Sequence, residues 1–323
     1  MKTLLTGGCG YIGALLAREL RAGGREVNVL DCLLHGQSEI AAALTDASVE
    51  VIRGDIRDPE ARGRALEGVD AVVHLAAIVG DPACALDPDL AAQVNVTATR
   101  ELIRDCAQRG VGRFVFASTC SNYGRTADPE VAISEEGELR PVSLYAEQKV
   151  QIERLLLDGG SGLQTPVCLR FATVYGVAPR MRFDLTVNEF TRDLWDGREL
   201  EVFGEQFWRP YIHVADAARA VRAVLEAPAV QVAGEVFNVG DTAENYRKLD
   251  LVGKISEQID RATVSYVSRE EDPRDYKVNF QKIRSTLGFQ TQMSVPDGIT
   301  EVIAALDAGV FGDPFDGRYR NIP

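Results

Sequence analysis

Along the first half of the chain, short continuous apolar runs alternate with stretches of helical periodicity. Lys2–Thr6, Glu26–Leu30, Val49–Arg53, Ala71–Leu75, Arg113–Ala117 and Val167–Phe171 read as buried strands. Between them, Ala14–Ala22, Ala91–Arg109 and Ala146–Leu157 carry helical spacing. Such alternation implies a parallel sheet covered on both faces, and right-handed crossovers make the doubly wound sheet the expected topology. After residue 176 the pattern loosens. Arg180–Phe183 reads as a loop, Leu185–Asp196 and Val214–Glu226 as helices, Leu200–Phe203 and Glu235–Val239 as strands. The expected α/β architecture is a doubly wound domain over 1–176 and a smaller, mixed α/β C-terminal lobe over 177–323. Some segments of that lobe return to the sheet.

Composition narrows the function classes. With 46% hydrophobic and 26% charged residues in 323, the chain is ordinary globular protein. No uninterrupted apolar stretch approaches the roughly 20 residues of a membrane-spanning helix. The net charge of -13 repels phosphodiester backbones, so neither a nucleic-acid nor a membrane partner is expected. A small anionic ligand is another matter, because a few arginines outweigh the global field at short range. The six cysteines (Cys9, Cys32, Cys84, Cys106, Cys120 and Cys168) form no C-x-x-C pair, which argues against a metal site and a disulfide framework. The opening MKTLLTGGCGYIG sets glycines where a signal peptide would carry its apolar run, so a cytoplasmic, reduced setting is expected.

Those opening glycines also carry chemistry. Gly7, Gly10 and Gly13 fall at every third position between the first strand and the first helix. Without side chains there, the chain turns tightly and a pyrophosphate can approach the backbone and the helix N-terminus. Taken alone the triplet is an ordinary turn; at a strand-to-helix junction it points to a dinucleotide. Asp31 closes the second strand, where a carboxylate accepts from ribose hydroxyls and repels a 2′-phosphate, favouring NAD over NADP. Asp55 and Ile56, after the third strand, are candidates to flank the adenine.

Tyr145 and Lys149 stand four apart at the start of a predicted helix, on one face. An ammonium close to a phenol favours the phenolate and prepares a general base. Thr119 follows the strand Arg113–Ala117 at the carboxyl edge of the sheet, where ligands bind. Its hydroxyl can share a hydrogen bond with the substrate oxygen that Tyr145 deprotonates. Each residue has an ordinary structural explanation; their joint occurrence in this order makes that explanation a poor one.

The ordered set TGGCGYIG, GDIRD, HLAA, NVTAT, FASTCSNYG, YAEQK, LRFATVYG and RPYIHVADAA resembles the extended short-chain dehydrogenase/reductases that act on nucleotide-diphosphate sugars, such as the UDP-galactose 4-epimerases. The resemblance covers nearly the whole chain. It implies a Rossmann-type fold, bound NAD, and Thr119, Tyr145 and Lys149 as catalytic triad. It further implies a cofactor site of Gly7, Gly10, Tyr11, Ile12, Gly13, Asp31, Asp55, Ile56, Leu75, Ala76 and Ala77, with Ser118 near the nicotinamide. Tyr145 and Lys149 would also touch the cofactor, and Asn95 would support the central helix. A nucleotide-diphosphate sugar would be held by Thr119, Cys120, Thr173, Asn188, Arg209 and Tyr276. Its second phosphate-contacting arginine would be Arg269, with Arg274 as the alternative register. A homodimer is the default for such enzymes.

Departures from the family pattern bear on the reaction. The family's sugar dehydratases carry Asp-Glu directly after the catalytic Thr; here Cys120-Ser121 stand there, so neither 4,6-dehydration nor decarboxylation is favoured. Thr173 replaces an Asn and Pro210 an Asp. Cys120 is expected to line the substrate pocket without acting as a nucleophile. Tyr276 stands where bulk disfavours N-acetylated sugars. The leading reading is an NAD-dependent 4-epimerase. A nucleotide-sugar 4-ketoreductase using external NAD(P)H shares every catalytic residue. A dinucleotide-sensing regulator would not need the triad.

Overall fold

The computed structural model describes residues 1–260, 263–267 and 274–321. Twelve strands are present among them: β1 (Lys2–Thr6), β2 (Glu26–Asp31), β3 (Val49–Arg53), β4 (Ala71–His74), β5 (Arg113–Thr119), β6 (Pro166–Phe171), β7 (Thr173–Tyr175), β8 (Glu199–Phe203), β9 (Trp208–His213), β10 (Glu235–Val239), β11 (Asn245–Arg247) and β12 (Thr263–Val267). Seven of them form one sheet in the order β10-β6-β5-β4-β1-β2-β3. Every adjacent pair in it is parallel. The fold is α/β and Rossmann-like.

The strand sequences show why both faces are covered. Leu4 and Leu5, Val72 and Val73, and Phe114 and Val115 are consecutive buried pairs whose members join opposite cores. The side-chain period of two thus sends neighbours to different faces, and only a sheet buried on both sides tolerates that. One face is covered by the helices Tyr11–Ala22 and Val214–Glu226, through Leu16, Leu20, Val221 and Val224. The other meets Thr99–Gln108 and Leu144–Leu157, through Leu102, Ile103, Ile152 and Leu156. Helix Val214–Glu226 and β10 therefore return from the second half of the chain to the first layer. What remains beyond residue 176 builds its own core around Val187, Leu200, Tyr211, Leu251 and Ile299.

Two sequence expectations need correction. The stretch Ala91–Arg109 is not one helix: Pro88–Ala92 runs into a wide π turn over Gln93–Ala98, then the helix Thr99–Gln108. The wide turn sets Asn95 against the loop at residue 78, where its side chain accepts from Ile78 N (2.8 Å) and donates to Ile78 O (3.0 Å). The second half also holds strands that the apolar pattern did not reveal. β11, β9 and β7 form a three-stranded sheet, and β12 pairs with β8. β9 carries Arg209 and Pro210, which break its alternation, and β7 spans only three residues, too few to show a period. Among the described residues, no helix is long and apolar enough to cross a membrane.

Sheet order reverses between β1 and β4, since the chain passes from β3 back across to β4. Loops beyond the carboxyl ends of these two strands part to opposite sides and leave a crevice, the usual ligand position in such a sheet. Here the crevice is a cavity of about 410 Å³.

Candidate active site

The cofactor end begins at the turn after β1. Gly7 has φ +70°, and a Cβ on it would stand 2.8 Å from Ala76 N, in the loop after β4. A Cβ on Gly13 would stand 2.5 Å from Gly7 O. Only glycine permits the two loops and the helix to close up this far. No side chain caps the helix Tyr11–Ala22 and its first turn holds no acidic residue, so its N-terminal N–H groups keep their pull on an anion. At the end of β2, the Asp31 carboxylate accepts from Cys9 N (2.9 Å) and Leu33 N (2.8 Å). Leu33 itself adopts the left-handed φ of 56°. Burial raises Asp31 above the usual carboxylate range while both N–H bonds pull it back.

Gly7, Gly10, Tyr11, Ile12, Gly13 and Asp31 all line the cavity. So do Asp55, Ile56, Leu75, Ala76, Ala77 and Ser118. Bare backbone, an uncapped helix start, a carboxylate at the end of the second strand and an apolar wall suit a dinucleotide's donor and acceptor set. Asn95 stands behind this wall, and its amide also donates to Gln148 Oε1 at 2.8 Å.

Thr119, Tyr145 and Lys149 line the same cavity. Thr119 ends β5, and its hydroxyl oxygen accepts from Ser121 N (3.1 Å). Ser143 caps the helix Leu144–Leu157, which fixes where Tyr145 and Lys149 emerge on its first turns. Lys149 Nζ donates to Ala117 O at 2.8 Å and stands 5.7 Å from the centre of the Tyr145 ring. The expected acidic phenol is not found in the free chain. Burial drives Tyr145 well above the ordinary tyrosine value, Cys84 and Asp81 push the same way, and Arg182 opposes them. Burial also pushes Lys149 down to about 8. Desolvation is the largest influence on both groups.

At the substrate end, Thr173, Arg274 and Tyr276 line the cavity. Arg274 pairs with Asp81 at 3.0 Å, and Ser143 Oγ donates to the same carboxylate at 2.6 Å. Cys120 requires a correction. It turns inward at 1% exposure, its Sγ donating to Arg170 O (3.1 Å), because it opens the tight turn Cys120–Tyr123; Ser121 lines the cavity instead. Asn188 is also outside the lining. It is fully buried, accepting from Gly176 N (2.9 Å) and donating to Tyr11 Oη (3.0 Å) and Arg182 O (2.9 Å). Arg209 is buried within β9, donates to Trp208 O (2.6 Å) and sits 5.3 Å from the centre of the Tyr276 ring. Arg269 lies outside the described residues.

Sequence reading missed Asp81, Arg57, His35, Arg180, Arg182 and Asn321 in the lining. Arg180 and Arg182 had a weak signal, two cations in a predicted loop following a sheet strand. Asn321 had none: its amide reaches Val79 O (3.3 Å), 242 residues away in sequence. Burial, Arg180 and Arg182 together push His35 down to about 4, so it is neutral near pH 7.

Comparison with known proteins agrees with this geometry. Residues 3–240 match the profile of the NAD dependent epimerase/dehydratase family. A dTDP-glucose 4,6-dehydratase of Streptomyces griseus is 32% identical over 313 residues, covering 93% of this chain and 92% of the relative. Among solved structures, the Thermus thermophilus UDP-glucose 4-epimerase complex with NAD superposes with a TM-score of 0.83 at 27% identity, covering 95% of this chain and 99% of that one. The Bacillus cereus UDP-glucuronic acid 4-epimerase, in complex with UDP-glucuronic acid and NAD, gives 0.85 at 26% identity with the same coverage.

Proposed function

The chain belongs to the NAD-dependent epimerase/dehydratase family and is an enzyme of it with NAD as cofactor, and from that premise we propose that it is a nucleotide-diphosphate-sugar 4-epimerase. The observation that carries the choice of reaction is the turn after Thr119. Cys120 faces the core and Ser121 faces the cavity, so among the described residues no carboxylate follows Thr119 where a dehydratase carries its acid and base. Asp81, whose carboxylate acts on Tyr145, is committed to Arg274 and Ser143.

In this reading the first half, 1–176, holds the dinucleotide through the glycine turn and Asp31, and the second, 177–323, holds the nucleotide sugar. Bound NAD supplies the acceptor and later the donor of a hydride. Tyr145 Oη takes the proton of the sugar's 4-hydroxyl and returns one after the keto sugar has presented its other face. Thr119 Oγ1 donates to that same sugar oxygen and fixes its position against the phenol. Lys149 Nζ, anchored by the Ala117 carbonyl, supplies the positive charge that a phenolate requires. Because the free chain keeps Tyr145 protonated at neutral pH, the base forms only when ligands complete the site. Arg274 is the candidate partner for the substrate's diphosphate, which would compete with Asp81 for it.

The test is incubation with UDP-, dTDP- and GDP-sugars, without added cofactor, followed by NMR. Interconversion of C4 epimers by protein that already carries NAD is expected. Absence of interconversion, with added NADH consumed on a 4-keto sugar, would overturn the epimerase in favour of the ketoreductase.

A further inference from the structure

Among the described residues, four arginines line the cavity: Arg57, Arg180, Arg182 and Arg274. Three are neutralised within the chain. Arg57 pairs with Asp55 at 2.7 Å, Arg182 with Asp184 at 2.8 Å and Arg274 with Asp81 at 3.0 Å. Arg180 differs. It is only 5% exposed, yet it makes no ion pair with the described residues. Nη2 donates to the Arg320 carbonyl at 3.0 Å, and Nε is buried without a partner. Burial and the neighbouring Arg182 push it down to about 10, with Asp184, Tyr11 and Asp31 opposing them. A buried charge left unpaired is strongly unfavourable, so a ligand that brings the counter-charge is bound the more tightly.

Position identifies the ligand. The loop that carries Arg180 is tied to Tyr11, beside the glycine turn: Tyr11 Oη donates to Gly176 O (2.6 Å), and Asn188 Nδ2 donates to Tyr11 Oη (3.0 Å) and to Arg182 O (2.9 Å). Tyr11 and Asp31 both line the cavity at its dinucleotide end. The carboxylates near it are spoken for: Asp31 by two backbone N–H groups, Asp184 by Arg182 and by Asn321 N (3.1 Å). The C-terminal segment keeps the guanidinium there. Tyr319 O accepts from Phe183 N (2.9 Å), Arg320 O accepts from Arg180, and Asn321 bridges to Val79 O (3.3 Å) on the far side of the crevice.

The geometry points to Arg180 as the residue that neutralises the pyrophosphate of the bound dinucleotide, held over it by the carbonyl of Arg320. A cation from the loop after β7 thereby joins the glycine turn in gripping NAD, and the chain's last described residues set how long it stays. The inference rests on the NAD cofactor and not on which reaction the enzyme performs, so a failed epimerase assay leaves it standing.

Full-length protein stripped of NAD on charcoal is compared with Arg180→Met and Arg180→Lys by titration calorimetry with NAD alone, then with UDP alone. Loss of a charge-assisted contact weakens NAD binding roughly 10- to 100-fold in Arg180→Met. UDP affinity is unchanged, and Arg180→Lys falls between the two. Cofactor-free Arg180→Met has a Tm equal to or above that of the parent, because an unpaired buried charge has gone. NAD content after purification and its dissociation rate give a second readout that needs no stripped protein: the variant retains less and releases it faster. Unchanged NAD affinity overturns the proposal, as does a loss confined to UDP. A lowered Tm of the cofactor-free variant, with both ligands weakened alike, would make Arg180 a structural cation and overturn it too.

Discussion

Lys149 shows how one buried side chain sets a working pH. Its folded value of about 8 lies below the roughly 10.5 of an exposed lysine, since burial disfavours the charged form. Above pH 8 the folded protein has given up this proton while the unfolded chain still holds it. Stability linked to Lys149 therefore rises with pH between about 8 and 10.5, and its burial penalty is fully felt below that window. Activity moves the opposite way. If a charged Lys149 supports the Tyr145 phenolate, kcat/KM falls as pH climbs through about 8, and Lys149→Met removes that limb along with most of the rate. Tyr145→Phe lowers kcat by about 10²- to 10⁴-fold while leaving NAD bound. A variant that keeps wild-type turnover, or loses NAD in proportion to rate, would dismiss Tyr145 as the base. The spacing of Tyr145 and Lys149 on one helix face was legible in the sequence. Their titration was not, because it depends on how completely the crevice excludes water.

At the scale of elements, the helix Leu144–Leu157 is fixed to the sheet by a buried ion pair. Arg170 of β6 donates to both oxygens of Glu153, whose side chain is 2% exposed, and Ser118 Oγ adds a bond of 2.8 Å. Arg170 also donates to Tyr123 Oη at 2.8 Å, tying in the turn that follows Thr119. Four segments around the reactive crevice thus share one network. Arg170→Met strands the Glu153 carboxylate in the interior and lowers stability by about 3–5 kcal/mol, read from urea midpoints. A change below about 1 kcal/mol would mean that the pair contributes register and little stability. The six strands of the first half were visible in the sequence because buried strands are continuously apolar. The bend at Asn95 was hidden, since its cause is a contact with the loop at residue 78 and not a helix-breaking residue.

For the molecule as a whole, the two halves interlock: helix Val214–Glu226 packs on the sheet's first helix, and the C-terminal segment crosses to Val79. That interlock leaves the dinucleotide end and the proposed sugar end of the cavity as parts of one enclosure. A homodimer is expected despite the net charge of -13. Light scattering at physiological salt, where surface repulsion is screened beyond about 8 Å, should return twice the 35.2 kDa of one chain. A mass of one chain across micromolar concentrations would reject the dimer.

Local spacing alone determined the parallel sheet, the glycine turn, Asp31 and the shared helix face of Tyr145 and Lys149. Each of these is a relation among residues close in the chain, where backbone geometry dictates the outcome. Tertiary structure decided the rest. It turned Cys120 into the core, used Asn188 to brace Tyr11, paired Asp81 with Arg274 and left Arg180 buried without a carboxylate. Those outcomes arise from contacts between residues remote in sequence and from the removal of water, neither of which the local order of amino acids specifies.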